Sequence, residues 1–332
     1  MTLSYVQPVA GPHRPLASTP SRRPGSVRRT TSIDTRWGES LDVPVDVVVR
    51  GRDSVLSADG TVETLASVEL DLVVEWLPGT IVSIVGDAPR PLDGLQGASV
   101  RAGFGRRLVA ELPGAEAERA VWYSAVEDLS GAILVAGFAP LEAGMLEADP
   151  LMGAARADYQ ADVCIGWRAD GPVLAVMAEY GTSAVPRGPE APRLEAAEPD
   201  GWHTLPPLVA ATVRRRRQVD VWPDAESGVA VQSHFRDSFF GGGSEMVMHE
   251  YLVEAHVDGD ECLTRVDVDA RVLPWKACPG AVASAPAVVG TSLDELGARV
   301  RAELHGPTTC THLNSTLRSL ADVRALATHV GR

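Results

Sequence analysis

The chain has 332 residues, 45% of them apolar and 22% charged, with a formal net charge of −14. That length is generous for one core and comfortable for two, and the composition is that of a globular protein. The negative balance disfavours nucleic acid or an anionic membrane as partner, no apolar run approaches the roughly 20 residues of a spanning helix, and a cytoplasmic location is expected.

Residues 1–25 are rich in Pro, Ser and Arg without an apolar signal core, and read as a disordered arm. A first domain is expected over 26–182 and a second over 211–332. Between them, 183–210 is a linker dense in Pro, Ala and Glu. Short matches share about one offset between the halves. Val27-Arg28-Arg29 with Ile33-Asp34 reappears as Val213-Arg214-Arg215 with Val219-Asp220, and Trp37 and Trp222 follow. This points to an internal duplication. The arginine runs, including Arg214 to Arg217, are expected as solvated faces or local anion contacts.

In the second half, Val229–Phe235, Met246–Val257 and Leu263–Val272 read as strands, with a turn at Asp258-Gly259-Asp260. The alternation puts Val247, His249, Tyr251, Val253 and Val257 on one face. Pro279 opens a helix closed by Gly290, Thr291-Ser292 caps the next, and a last helix runs from about Thr311 to Val330. The expected fold is α+β: two related domains, each an antiparallel sheet with helices packed on one face.

Cys164, Cys262, Cys278 and Cys310 are few for this length, so ligand, nucleophile or core roles outrank disulfides. Cys278 and Cys310 each fall at a helix start, where the dipole and free N–H groups favour thiolate. His249 lies mid-strand. Two thiolates and an imidazole suit a single zinc or iron ion. His312 and Glu250 are candidates for a fourth ligand or a general acid/base, although Glu250, next to His249, faces the other way on a regular strand. Arg236 and Asp237 suit either an anionic substrate group or an ion pair. Cys164 and Cys262 are expected as core or edge residues. Asp93 stands where Cys278 would fall in the first half, which is therefore expected to lack metal.

The residues Met248-His249-Glu250-Tyr251, Leu273-Pro274-Trp275, Cys278-Pro279 and Cys310-Thr311-His312-Leu313 resemble the bacterial domain of unknown function 2889 over about 213–327. More distantly, the order His249-Glu250, Cys278-Pro279-Gly280-Ala281, Gly290-Thr291-Ser292-Leu293-Asp294-Glu295 and Cys310 is similar to iron–sulfur scaffold domains of the NifU/SufU type. That resemblance implies their fold for the second domain, with Cys278 and Cys310 matching two of three thiolate ligands and His249 replacing the first. The replacement suits a mononuclear site better than a transferable cluster. The expected function is a metal-dependent enzyme, a lyase or hydrolase, acting on a small-molecule substrate. An iron–sulfur or sulfur-handling accessory protein and a structural zinc domain are the alternatives, and a homodimer is left open.

Overall fold

A computed structural model describes residues 10–101, 103–145, 149–181, 187–225 and 227–331. Eight strands form one antiparallel sheet: β1 Ser26–Arg36, β2 Val45–Leu56, β3 Val62–Glu75, β4 Thr80–Gly86, β5 Thr212–Pro223, β6 Val229–Gly241, β7 Ser244–Val257 and β8 Leu263–Val272. Their order is β4-β3-β2-β1-β5-β6-β7-β8. Each half is thus a four-stranded meander, and β1 and β5 join the two by pairing from Val27↔Val221 to Arg36↔Thr212. The boundary expected at 183–210 does not divide the sheet.

The helices of both halves lie on one face, where alternate strand residues build two apolar cores. One gathers Ile33, Val47, Leu72 and Phe104 with Trp122 and Ile133. The other gathers Val221, Phe235, Tyr251, Val253, Leu296 and Leu317. The helical run Val121–Glu142 is, by length and composition, apolar enough to cross a membrane, contrary to the reading of the sequence. More than half of its most apolar stretch is buried inside the protein, however, and its Val121, Trp122 and Ile133 sit in the first core.

The runs Arg28-Arg29 and Arg214 to Arg217 are buried, not solvated. Arg28 on β1 grips Asp220 on β5 through Nε and Nη2 at 2.6 and 2.7 Å. Arg214 on β5 grips Asp34 on β1 at 2.6 Å through both nitrogens. Alternation sends Arg29, Arg215 and Arg217 to the helical face. There they pair with Asp53, Asp237 and Asp128 and form a polar belt between the two cores. Planar guanidinium forks matched bidentately by carboxylates are the form in which such charge tolerates burial.

The opposite face is covered by chain expected to be loose. The first nine residues of the arm lie outside the described residues. From Ala10 on, it bridges to Trp275 and Val272, and Leu16 N donates to Glu250. Of the expected linker, 183–186 lie outside the described residues. The rest forms a strap: Glu190 bridges to Met246, Arg236 donates to Pro192 O, and Trp202 and His203 are buried. Backbone carbonyls and carboxylates of arm and strap satisfy the arginines beneath, which is the reason a Pro-rich segment becomes ordered here.

His203 sits with Nδ1 2.9 Å from Thr30 Oγ1 and Nε2 2.7 Å from Ser32 Oγ. Burial, then the neighbouring Arg52 and Arg214, pull its pKa down to about 3. The native state therefore excludes a proton that the unfolded chain binds below about pH 6.5. Stability should fall as pH drops from about 6.5 toward 3, by about 1.4 kcal/mol per pH unit from this residue. His203→Gln should flatten that slope in urea unfolding compared at pH 7 and pH 5. An unchanged slope would show that His203 does not carry it.

Candidate metal centre

β6 and β7 are joined by Gly242-Gly243, both at positive φ (+60° and +84°), the conformation of a two-residue hairpin turn. Away from the turn, the register runs regularly to Ser238↔Val247 and then slips by one residue, so that Asp237 faces His249. This bulge changes the expected alternation. Val247 pairs on the strap side with Ser238, while His249 shares the helical face with Tyr251 and Val253.

Over this point comes the N-terminus of the helix Thr311–Ser319, with Cys310 as its extended cap residue. His312, in the first turn, stacks on His249 with ring centroids 3.7 Å apart and planes 17° apart. One ligand atom each from Asp237, His249 and His312 lies within 4.8 Å of the others. His312 Nε2 is 3.4 Å from Asp237 Oδ2, yet neither it nor His249 Nδ1 has a hydrogen-bond partner among the described residues. Asp237 is fully buried; both imidazoles are partly exposed as residues, but their unpartnered nitrogens are buried.

Electrostatics keep both rings neutral. Burial, then Arg215, pulls His249 down to about 3, and burial with His249 beside it holds His312 well below the ordinary range. Burial pushes the Asp237 carboxyl up, and Arg215 only partly offsets it. Arg215 clamps Asp237 at 2.9 and 2.8 Å and reaches Asp128 at 3.1 Å. Asp128 in turn takes Arg217 and Ser315. This chain of bonds fixes the carboxylate's orientation, as the outer shell of a metal site does.

Of the residues singled out in the sequence, His249 and His312 come together. Cys310 stands beside them, its Sγ 3.7 Å from His312 Nδ1. Cys278 is not part of the three-residue cluster; it opens a 3-10 helical run, Cys278–Val288, and borders Gly166 and Trp275. The expected thiolate advantage of helix starts is outweighed, because burial pushes the thiols of both Cys278 and Cys310 up. Glu250 lies on the other face, accepting from His234 Nε2 at 2.6 Å, Arg236 Nε at 2.9 Å and Leu16 N at 3.0 Å. Asp237, read as a substrate or ion-pair residue, supplies the carboxylate. Cys164, read as core, borders the same Gly166 as Cys278.

Fold and site together define a mixed α/β protein on one large antiparallel sheet, with a histidine–histidine–carboxylate cluster at the end of its polar belt. Residues 213–326 match the family described as "Protein of unknown function (DUF2889)", which includes Asp237, His249, Cys278, Cys310 and His312 and leaves out Cys164. No curated protein and no solved structure matches the chain.

Proposed function

We propose that this chain holds one divalent first-row metal ion, zinc or ferrous iron, on Asp237, His249 and His312, and uses it in a metal-dependent reaction on a small molecule. The observation that carries the reading is the convergence of three ligand atoms within 4.8 Å, with one nitrogen of each imidazole unpartnered. Unsatisfied polar atoms on partly buried rings are costly unless something binds them. Two imidazoles and a carboxylate suit zinc or ferrous iron and leave positions for water or substrate. In this reading His312 is a ligand, Cys310 stands beside it, and Cys278 and Glu250 lie outside the coordination sphere. The ion would supply Lewis acidity or an activated water, the chemistry of a hydrolase or lyase. Arg215 would orient Asp237, and the two imidazoles, already neutral, would bind without first losing protons.

Burial of the arginine runs in carboxylate pairs supports a protein that does not use them on nucleic acid. The crossed pairs Arg28–Asp220 and Arg214–Asp34 support an origin by duplication, because the offset that carries Arg28 onto Arg214 carries Asp34 onto Asp220.

Elemental analysis of anaerobically purified protein tests the site. Wild type should carry zinc or iron, and a His249→Ala, His312→Ala variant should lose one equivalent while Cys278→Ala keeps it. Loss in Cys278→Ala with retention in the histidine variant would overturn the proposal in favour of a site made of thiolates without His249. A brown protein with acid-labile sulfide would favour the iron–sulfur accessory reading. No metal in the wild type after reconstitution would overturn the proposal.

A further inference from the structure

Three of the four cysteines meet in one buried place that the imidazole–carboxylate cluster does not use. Cys164, Cys278 and Cys310 come from three separate segments and are 9%, 5% and 4% exposed. Cys164 is delivered from the first half by a short 3-10 turn, Ile165–Trp167, pinned to the second half by Ile165 N donating to Thr309 O at 2.8 Å. Gly166 sits between the sulfurs. A Cβ there would stand 2.9 Å from Cys278 Sγ and 3.8 Å from Cys164 Sγ, so the absence of a side chain is what admits both. Cys310 packs in the same buried cluster as Cys278, and the Ile165–Thr309 bond joins the residue after Cys164 to the residue before Cys310.

A fourth group points the same way. Tyr251, fully buried on β7, packs in the same apolar cluster as Cys278 and Cys310. Among the described residues its hydroxyl has no hydrogen-bond partner. A buried phenol left unsatisfied in a cluster with buried thiols is an expensive arrangement in an ordinary core, where a Phe and small apolar residues would do as well. All three thiols are free.

From this convergence we infer a second metal site, in which Cys164, Cys278 and Cys310 bind one soft, thiophilic ion, zinc or copper(I), with the Tyr251 hydroxyl facing it. Thiolate ligands select such ions, and the surrounding Trp275, Ile165 and Ala281 keep water away. The sulfurs stand farther apart than the ligand atoms of the imidazole–carboxylate cluster. Binding therefore draws them inward to about 2.3 Å from the ion as each thiol gives up its proton to solvent. The site straddles the two halves, since Cys164 belongs to the first and the other two ligands to the second. It stands independently of the reading of His249 and His312.

Cadmium titration of the reduced full-length protein tests it through thiolate-to-metal charge-transfer absorption in the near ultraviolet. The wild type should show a band saturating with one ion. His249→Ala, His312→Ala should keep it, which separates this site from the imidazole–carboxylate one. Cys164→Ser should lose about a third of the intensity and bind at least tenfold more weakly, while Cys262→Ser should match the wild type. Competition by Zn²⁺ and by Cu⁺ under reducing conditions identifies the preferred ion. Should Cys164→Ser fail to fold, cadmium NMR of the His249→Ala, His312→Ala variant decides, because each coordinating thiolate moves the resonance downfield toward an all-sulfur shift. A wild type without the band, a Cys164→Ser band equal to that of the wild type, or a nitrogen–oxygen cadmium shift as the sole resonance of the His249→Ala, His312→Ala variant would overturn the inference.

Discussion

Asp34→Ala is expected to destabilise the protein by about 3–5 kcal/mol in denaturant unfolding, the cost of leaving a buried charge without its partner. Asp34 is 1% exposed and accepts both nitrogens of Arg214, itself 3% exposed, in the middle of the sheet. With the carboxylate gone, Arg214 keeps, among the described residues, the Pro206 carbonyl. Asp220→Ala should cost less, since Arg28, gripped by Asp220 in the same way, keeps Glu198 at 3.0 Å and the Pro20 carbonyl. Replacing the pair together, Asp34→Leu with Arg214→Met, should recover most of the loss, because a buried ion pair exchanged for apolar side chains of similar volume is close to neutral. A loss below about 1 kcal/mol for Asp34→Ala would place the pair among surface bridges in energetic terms.

Asp237→Ala should combine a comparable loss of stability with loss of metal. Arg215, fully buried, would be left with Asp128 alone, and removing one partner of such a clamp again costs about 3–5 kcal/mol. The two effects separate by adding metal. If the ion binds the native state, a concentration of about 100 Kd should stabilise the wild type by about 2.7 kcal/mol. Asp237→Ala should show no such gain. An equal gain in both proteins would mean that the carboxylate is not a ligand.

Much of the second half was legible because local signals there are strong. The turn at Asp258 holds, with Asp258 Oδ1 accepting from Asp260 N and Cys262 N. Ser292 starts the helix Leu293–Glu303 with Asp294 and Glu295 in its first turn. The last helix stops at Ser319 and resumes as the short pieces Leu320–Asp322 and Val323–Ala327. His249 and His312 could be named as candidates, but their carboxylate partner could not. Counting back from the glycine turn pairs Asp237 with Met248, and only the one-residue bulge brings it to His249. A bulge leaves no mark in an alternating pattern, because its extra residue is set by packing across strands rather than by the strand's own residues. The arginine runs misled for a related reason. Four consecutive arginines look solvated until the carboxylates opposite them are known, and those lie far away in the chain. Cys164 had no neighbour in sequence to suggest that it meets two other thiols.

The pairing of β1 with β5 also governs how the chain reaches its native state. The two strands are sequence-distant yet central, so joining them closes a loop longer than half the chain, at an entropic cost that local hairpins do not share. Each meander can assemble early from neighbouring hairpins, but until the halves meet, each exposes an open edge lined with unpaired arginines and aspartates. Charge on an unpaired edge opposes association with a second chain. The crossed Arg–Asp pairs therefore act in the folding chain as a recognition code. They penalise a one-residue slip, which would set each guanidinium out of line with its carboxylate, and they make the correct half the favoured partner for the open edge.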